Sequence, residues 1–330
     1  MNILVTGGAG YIGSHMVEKL KKSGYTPIVF DNLSTGHKAA VPIDVKFVEG
    51  DIHDVNFLSK TMIDNYIQGI IHFAASSLVG ESMTDPAKYY VNNVEGTLHL
   101  LLAMLKAKVN KLVFSSTAAV YGEPSSTPIK EDFPLHPTNV YGRTKLVIEN
   151  MLQDFDNAYD LKYVALRYFN AAGASTTSEI GEDHNPETHL IPLVLKTAQG
   201  VRKQVAIYGT DYSTNDGTCI RDYIHVCDLA SAHILALQRL LTGGESTVYN
   251  LGSENGFSVR DIINTAKQIT NKEFMVVEEA RRAGDPAVLV ASSAKIHEEL
   301  GWKVEQSTTK EIIASAWQWH QNHPFGYGEK

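Results

Sequence analysis

The chain opens, at residues 2–32, with the sequence NILVTGGAGYIGSHMVEKLKKSGYTPIVFDN. Its first apolar run, residues 2–5, is bounded by turn residues and predicts a short strand. Four glycines follow between residues 7 and 13, and the segment after them predicts an amphipathic helix. A second apolar strand ends at Asp31. This order of strand, glycines, helix, strand and acid is typical of a dinucleotide-binding unit.

Each part of this unit has a physical role. Glycines let the backbone turn sharply and approach a pyrophosphate, whose charge is stabilised at the N-terminus of the following helix. Gly13 lets that helix pack closely on the strand, and Asp31 can accept hydrogen bonds from ribose hydroxyls. A carboxylate at Asp31 also repels the 2′-phosphate of NADP, and no arginine follows within the next few residues to bind that phosphate. NAD is therefore the predicted cofactor.

Composition narrows the class of protein. At 330 residues the chain exceeds the usual size of a single core, so a large domain and a smaller lobe are expected. The net charge of −8, without a long basic cluster, argues against nucleic acid or an anionic membrane as partner. Cys219 and Cys227 lack the spacing of a disulfide framework or a metal site, and no metal is predicted. With no long apolar run and no signal-like N-terminus, a soluble cytoplasmic protein is expected.

The pattern beyond the first unit continues to alternate between strands and helices. Strand-like runs lie at residues 45–48, 69–73, 111–114 and 163–167, and helical patterns lie near residues 54–64, 86–107, 141–158 and 225–241. This alternation predicts an α/β fold with a Rossmann-type, doubly wound parallel sheet.

The alternation stops at Ala171, where polar residues, glycine and proline become frequent. We expect a Rossmann domain, which binds NAD, from residues 1–170 plus 221–252, and a smaller substrate-binding C-terminal lobe from residues 171–220 plus 253–330. The helical run at residues 98–105 is apolar nearly all round, which is typical of a helix buried on more than one face. It packs either on the sheet alone or on a partner subunit as well.

Candidate catalytic residues follow one of the predicted strands. Thr117 comes just after the run at residues 111–114, where ligands bind outside the carboxyl ends of parallel strands. Tyr141 and Lys145 are four residues apart and share one face of a predicted helix. An ammonium beside a phenol favours the phenolate and lowers the pKa of the phenol. The Thr117 hydroxyl can relay or share the substrate proton.

The glycine spacing Gly7-x-x-Gly10-x-x-Gly13 and the Thr117, Tyr141 and Lys145 set resemble the extended short-chain dehydrogenase/reductase superfamily. Longer motifs are similar to the UDP-glucose 4-epimerase family in particular, and the resemblance runs from Asn2 to about Trp319. These motifs occupy residues 6–15, 73–82, 89–94, 167–170, 217–226 and 282–285.

This resemblance implies an isomerase that interconverts UDP-glucose and UDP-galactose at C4, with one tightly bound NAD and a 4-keto intermediate. In those roles Tyr141 takes the proton of the sugar 4-hydroxyl, and Thr117 hydrogen-bonds the 4-oxygen. Lys145 tunes Tyr141 and holds the nicotinamide ribose. The resemblance also implies a homodimer.

The resemblance further implies two sets of binding residues. The NAD set is Gly7, Gly10, Tyr11, Ile12, Gly13, Asp31, Asn32, Asp51, Ile52, Phe73, Ala74, Asn92, Ser115, Tyr141, Lys145 and Tyr168. The substrate set is Thr117, Asn170, His189, Leu190, Ala206, Tyr208, Arg221, Arg282, Asp285 and Leu289. Arginine suits a diphosphate because its planar fork donates two parallel hydrogen bonds.

A few positions depart from the commonest family pattern. Ser77 stands where many members carry a lysine near the nicotinamide, Thr117 replaces a frequent serine, and His189 replaces an asparagine beside the diphosphate. Leu289 occupies the gate beside the C2 substituent of the sugar, where aromatic residues exclude an N-acetyl group and small residues admit it. Leucine is intermediate, so a side activity on UDP-N-acetylhexosamines is expected.

Other functions stay open at this point. A 4,6-dehydratase of the same branch carries an Asp-Glu pair after the Ser/Thr, where this chain has Ala118 and Ala119. A UDP-sugar decarboxylase or a 4,6-keto reductase is a further alternative. A regulator that binds NAD without turnover is an alternative from another class, although it has no need for Tyr141 and Lys145.

Overall fold

The structure is a computed structural model that describes residues 1–177, 179–282 and 285–328. Its strands are β1 (Asn2–Thr6), β2 (Thr26–Asp31), β3 (Lys46–Glu49), β4 (Ile67–His72), β5 (Lys111–Ser115), β6 (Lys162–Tyr168), β7 (Asn170–Ala172), β8 (Gln204–Tyr208), β9 (Ile220–Arg221), β10 (Tyr223–His225), β11 (Thr247–Leu251), β12 (Phe257–Ser258), β13 (Met275–Glu279) and β14 (Val288–Leu289).

Its helices are α1 (Tyr11–Lys22), α2 (Val55–Asp64), α3 (Val79–Thr84), α4 (Pro86–Tyr89), α5 (Gly96–Ala107), α6 (Val140–Tyr159), α7 (Leu190–Ala198), α8 (Val226–Leu241), α9 (Val259–Thr270), α10 (Ala294–Leu300) and α11 (Thr309–Asn322). A π-helical segment, Tyr90–Glu95, joins α4 to α5, so the single helix predicted near residues 86–107 is interrupted. Short 3₁₀ turns lie at Lys38–Ala40 and Ala118–Tyr121.

The predicted Rossmann-type sheet is confirmed. Within the described residues, seven strands pair in the order β11-β6-β5-β4-β1-β2-β3, and every pair is parallel. Because both faces of such a sheet are covered, its strands are apolar along their length. Ile3, Leu4 and Val5 of β1 are all fully buried. Ile3 and Val5 face the core under α1 and α8, whereas Leu4 faces the core under α2, α5 and α6.

A separate apolar core lies among α7, α9 and α11, where Ile191, Ile262 and Ile312 pack together. The small parallel pair of β8 and β13 adds Val205 to this core. In contrast, α10 packs on β11 and α8, and its buried Ile296 belongs to the core of the large sheet. The division of the chain into an NAD-binding domain and a substrate lobe stays a prediction.

None of the helices in the described part of the chain is both long and apolar enough to cross a membrane.

Candidate functional site

The candidate site lies where the strand order reverses, between β1 and β4. Gly7 directly follows β1, and Phe73 directly follows β4. The backbone N–H groups of Phe73 and Ala74 both donate to the carbonyl oxygen of Thr6, at 2.9 and 3.2 Å. Ligands of doubly wound sheets bind at this reversal, outside the carboxyl ends of the strands.

The glycine turn leaves no room for a side chain at Gly7 or Gly13. Gly7 has a φ of +73°, and a Cβ there would lie 2.6 Å from the backbone nitrogen of Ala74. A Cβ on Gly13 would lie 2.1 Å from the carbonyl oxygen of Gly7. Gly10 precedes α1, whose N-terminus has neither a side-chain cap nor an acid in its first turn. A pyrophosphate therefore fits here, because close backbone and uncapped N–H groups favour an anion.

The first two residues of α1 have different surroundings. Tyr11 donates its hydroxyl to the carbonyl oxygen of Gly173 at 2.7 Å, which connects the turn to the segment after β7. Ile12 packs against the core of the large sheet. Neither side chain caps the helix.

The acid at the end of β2 is held by the backbone. Asp31 accepts N–H bonds from Ala9 at 2.9 Å and from Leu33 at 2.8 Å, one at each carboxylate oxygen. Each oxygen retains capacity to accept from a ribose hydroxyl. The next residue, Asn32, donates to Asp51 at 3.1 Å, so the two predicted adenosine-side carboxylates lie at one edge of the site.

Ile52, beside Asp51, is buried in the core under α5. A Cβ on Gly96 would lie 2.6 Å from its Cδ1, so the start of α5 packs directly on Ile52. The structure thus places Ile52 mainly in the core, next to the predicted adenosine edge.

The candidate catalytic residues come together at β5 and the start of α6. Asn139 caps α6 by accepting from Gly142 N–H at 2.8 Å, which fixes the first turn and Tyr141 with it. Lys145 is buried one turn later and donates from Nζ to the carbonyl oxygen of Ser115 at 2.8 Å. Its Nζ also lies 4.8 Å from the centroid of the Phe114 ring.

Thr117 lies between these two elements and faces the Tyr141 phenol. Its Oγ1 accepts the N–H of Ala119 at 3.1 Å, so the hydroxyl hydrogen is free to be donated elsewhere. Burial raises the pKa of Tyr141 to about 12, and the hydrogen bond from Thr117 counteracts part of that rise. Thr117 thus stabilises the phenolate.

The charge state of Lys145 is also governed by burial. Burial lowers the pKa of its ammonium to about 7, and the Glu149 carboxylate opposes that shift. The sequence predicts that Lys145 lowers the pKa of Tyr141. In the structure the pKa of the Tyr141 phenol is raised instead, because burial of the phenol is the dominant effect. The Lys145 Nζ lies 5.8 Å from the centroid of the Tyr141 ring.

Further predicted NAD-side residues surround this centre. Tyr168, at the end of β6, shares a short hydrogen bond between its hydroxyl and that of Ser115. Phe73 packs on the ring of His233, with the centroids 4.9 Å apart. Asn92, in the π-helical segment, donates to Ser76 Oγ at 3.2 Å.

The predicted diphosphate residues lie at β9 and beside β8. Arg221 on β9 forms an ion pair with Asp285 and donates from Nη1 to the carbonyl oxygen of Ile220 at 2.7 Å. Arg282 is exposed, and its guanidinium carbon lies 4.0 Å from the centroid of the Tyr208 ring. The adjoining residues 283–284 of the predicted motif lie outside the described residues.

The remaining predicted substrate residues extend this set. Asn170 donates its side-chain amide to the carbonyl oxygen of Asp222 at 3.0 Å. Ala206 is on β8, two residues before Tyr208. Leu190 begins α7, whose N-terminus has no side-chain cap and no acid in its first turn. His189 precedes it and directs Nδ1 towards Glu182 and Glu187, 2.9 and 3.0 Å away.

Leu289, the predicted gate, lies on β14 in parallel register with Arg221. Its side chain packs against the apolar cluster of Ala118, Val120 and Tyr121, which is the turn directly after Thr117. The structure therefore brings the predicted gate to the loop that holds a candidate catalytic hydroxyl.

A buried ion pair between Glu149 and Arg167 lies behind the candidate catalytic residues, and the sequence did not predict it. Glu149 lies one turn beyond Lys145 and pairs with Arg167 of β6, whose Nε donates at 3.0 Å. Ser116 also donates to Glu149. The spacing of Lys145 and Glu149 at i and i+4 was the available signal, but the contact with Arg167 depends on the packing of α6 on the sheet.

Comparison with known proteins gives a consistent result. A model of the NAD dependent epimerase/dehydratase family matches residues 3–252. The chain is 52% identical over 330 residues to the UDP-glucose 4-epimerase of Lacticaseibacillus casei, with 100% of both chains covered.

Two solved structures are similar throughout. UDP-glucose 4-epimerase from Brucella ovis in complex with NAD has a TM-score of 0.94 and 51% identity, over 96% of this chain and 97% of that chain. UDP-glucose 4-epimerase from Stenotrophomonas maltophila with bound NAD and formylated UDP-arabinopyranose has a TM-score of 0.95 and 38% identity, over 98% and 99%.

Proposed function

Because the chain belongs to the NAD dependent epimerase/dehydratase family, we propose that it catalyses the reversible 4-epimerisation of UDP-glucose and UDP-galactose. The protein is an isomerase that uses NAD. One structural observation carries the chemistry: Tyr141, Lys145 and Thr117 meet at the end of β5, on the same sheet edge as the glycine turn that follows β1. A proton-transfer group and a dinucleotide cradle therefore share one site.

The cradle would hold NAD through residues of the first half of the chain. The glycine turn and the N-terminus of α1 suit the pyrophosphate, and Asp31 suits the adenosine ribose. Ser115, Lys145 and Tyr168 would line the nicotinamide half. Bound NAD supplies the acceptor to which C4 of the sugar gives its hydride and from which the 4-keto sugar takes it back.

Tyr141 would accept the proton of the sugar 4-hydroxyl and later return it. The Thr117 hydroxyl donates towards the same oxygen and stabilises the negative charge that appears on it. The cap of α6 fixes the first turn of the helix, so the phenol is positioned before the substrate binds. Each turnover leaves the proton balance unchanged.

Lys145 would position and polarise this pair. Its Nζ is buried between the carbonyl oxygen of Ser115 and the ring of Phe114, so the ammonium has few rotamers available. A buried cation close to the phenol stabilises developing phenolate charge more strongly than it would in water.

The uridine diphosphate would bind across the substrate side. Arg221 and Arg282 provide guanidinium groups, and the uncapped N-terminus of α7 at Leu190 provides N–H groups for phosphate oxygens. Asn170, Ala206, Tyr208, Asp285 and the Nε2 atom of His189 would complete the pocket. Leu289 would contact the C2 substituent of the sugar, which is consistent with a side activity on UDP-N-acetylhexosamines.

A dehydratase is disfavoured by the turn that follows Thr117. Ala118 and Ala119 occupy the places of the acid–base pair of that enzyme and are part of a buried 3₁₀ turn. A regulator without turnover has no need for a buried Lys145 beside Tyr141, since burying an ammonium costs free energy.

We also propose a homodimer in the cytoplasm. Leu98 and Leu102, four residues apart on α5, are 37% and 39% exposed, and Val91 near them is 51% exposed, which suits an apolar interface. The thiols of Cys219 and Cys227 are free, as suits a reducing compartment. Sedimentation equilibrium at micromolar concentration tests the dimer, and a monomer would contradict it.

The experiment that tests the activity is incubation of the purified protein with UDP-galactose and no added NAD. We expect conversion to an equilibrium mixture with UDP-glucose, without accumulation of a keto product or free NADH. Conversion only after NAD is added would retain the function and indicate weak retention of the cofactor, for which Ser77 is the candidate cause. No conversion even with NAD would reject the proposal.

A further inference from the structure

Four side chains with metal-ligating atoms converge in the segment that leads into α7. Glu182, His184, Glu187 and His189 each place one nitrogen or oxygen within 4.8 Å of the others. Their sequence pattern is Glu-x-His-x-x-Glu-x-His. The spacing of the two cysteines predicts no metal, and this pattern of glutamates and histidines is a separate signal.

Four distances within this cluster are close to those between the ligands of one small cation. Glu182 Oε1 lies 3.2 Å from His184 Nδ1 and 2.9 Å from His189 Nδ1. Glu187 Oε1 lies 3.0 Å from His189 Nδ1, and its Oε2 lies 3.7 Å from His184 Nδ1. Metal–ligand bonds of about 2.0–2.1 Å in a tetrahedron place the ligand atoms roughly 3.3 Å apart.

Two of these atoms are buried without a hydrogen bond to any described residue. Glu187 Oε2 has no hydrogen-bond donor within the described part of the chain, and His184 Nδ1 makes only ion-pair contacts there, with Glu182 Oε1 and with Glu187 Oε2. The Glu187 side chain is only 4% exposed, and its other oxygen accepts N–H bonds from Thr188 and His189 at 2.7 and 2.8 Å. A buried carboxylate oxygen left without a donor is costly unless a cation supplies its missing contact.

We propose that Glu182, His184, Glu187 and His189 bind one zinc-class divalent transition-metal ion. Two imidazoles and two carboxylates form the mixed nitrogen and oxygen set that Zn²⁺ accepts, and four protein ligands close the coordination shell. A closed shell leaves no position for substrate, so the ion is structural. It takes no part in the transfer chemistry at Tyr141.

The ion would fix a junction between the cofactor and substrate sides. The His184 ring lies edge-on to the ring of Tyr11, the first residue of α1, with the centroids 6.2 Å apart. Asp183, between two of the ligands, accepts from His37 Nε2 through its carbonyl oxygen at 3.1 Å. His189 directly precedes α7. Coordination would therefore hold residues 182–189 against α1 and set the start of α7.

The test measures metal rather than turnover. The full chain is produced without a histidine tag, passed through metal-free buffer and analysed for bound metals by plasma mass spectrometry. We expect about one zinc per chain in the wild type and close to none in His184→Gln and in Glu187→Gln. His297→Gln, which replaces an exposed histidine far along the chain on α10, is the matched control and should retain the metal.

A second measurement covers the case in which a variant folds poorly. Zn²⁺ alone is titrated into chelator-treated wild-type protein while thermal unfolding is followed. We expect the unfolding temperature to rise by several degrees with zinc and the rise to be absent in His189→Asn.

The outcomes are decisive in both directions. Wild-type protein without metal, and without a zinc-dependent rise in unfolding temperature, would show that the cluster is a set of His–Glu ion pairs only. Zinc retained equally in the cluster variants would place the ion elsewhere and also overturn the proposal. Neither measurement uses NAD or a UDP-sugar, so the result is independent of the proposed epimerase activity.

Discussion

Lys145 donates a hydrogen bond from Nζ to the carbonyl oxygen of Ser115 over 2.8 Å and thereby ties α6 to the end of β5. The side chain is 2% exposed, and burial lowers the pKa of its ammonium to about 7. The same residue therefore positions the catalytic helix and destabilises the fold when it is charged. Function and stability make opposite demands at this position.

Replacing Lys145 by Met should separate these two effects. We expect the rate of UDP-galactose conversion to fall by about 100-fold or more, because the cation beside Tyr141 is lost. Unfolding free energy near neutral pH should be unchanged or higher, since no ammonium is buried. Both are measured on the same preparation, by a coupled UDP-glucose assay and by urea unfolding.

The pH dependence of stability gives a sharper version of this test. Between about pH 7 and the ordinary lysine pKa of 10.5, the unfolded chain binds a proton at Lys145 that the folded protein does not. The free energy of unfolding therefore rises with pH in this range. From about pH 7 to about pH 9 the wild type should gain about 2 kcal/mol relative to Lys145→Met. An identical pH dependence in both proteins would contradict the assignment.

Replacing Tyr141 by Phe should remove most of the turnover but leave the cofactor in place. The phenol is the proton-transfer group, and loss of such a group costs about 10²–10⁴-fold in rate. The ring and the contacts of the glycine turn remain, so NAD released by denaturing the variant should equal that from the wild type. Tyr159→Phe, on the exposed last residue of the same helix, is the matched control and should retain full activity.

Much of this centre was predictable because its signals are local in the sequence. The glycines at residues 7–13 indicate the tight turn after β1, and Asp31 marks the end of β2. Tyr141 and Lys145 are on one helical face because they are four residues apart. The alternation of apolar runs was sufficient to indicate a parallel sheet with both faces covered.

Other parts depend on contacts that no local pattern contains. Asn93, in the π-helical segment, accepts from Ser76 N–H at 2.8 Å and donates to Thr144 Oγ1 at 3.2 Å, so it joins a loop to the catalytic helix. The pairing of Glu149 with Arg167 likewise depends on how α6 packs on β6. Such contacts are set by tertiary structure, which periodicity does not reveal.

His72 at the end of β4 provides a prediction for the reversal point of the sheet. It is 1% exposed, with Nδ1 beside Thr6 Oγ1 at 2.7 Å and Nε2 beside Thr97 Oγ1 at 3.0 Å. Burial, and secondarily the charge of Lys145, lowers the pKa of its imidazole to about 3. The ring is therefore neutral in the folded protein throughout the physiological range.

We expect the His72 resonance not to titrate between about pH 7 and about pH 5, whereas the unfolded chain binds a proton there. Because the pKa of His72 is lower in the folded protein than in the unfolded chain, the free energy of unfolding falls as the pH falls, by about 2 kcal/mol over that interval. His53 is the internal contrast: burial lowers and Asp51 raises the pKa of its ring, and Asp51 prevails. Histidine NMR measures both, with a His72→Gln variant to assign the signal, and titration of His72 near its ordinary value would refute the burial argument.

Leu289 determines, on our proposal, which sugars the site accepts. Its side chain packs on the turn of Ala118 and Val120 beside Thr117, so a change in its volume alters the space near the sugar ring. Leu289→Tyr should suppress conversion of UDP-N-acetylgalactosamine relative to UDP-galactose by about 10–200-fold, and Leu289→Ala should raise that ratio. The measured quantity is the ratio of kcat/KM for the two substrates.

Val288 offers the control on the same strand. Successive side chains of a strand point to opposite faces. Val288→Tyr therefore places a tyrosine ring on the face opposite to Leu289 and should leave the ratio of kcat/KM for the two substrates unchanged. A wild type that does not convert UDP-N-acetylgalactosamine even at high enzyme concentration would remove the side activity from the proposal. If Leu289→Ala then gained that activity, Leu289 would still be the gate, because the only change is the volume that it fills.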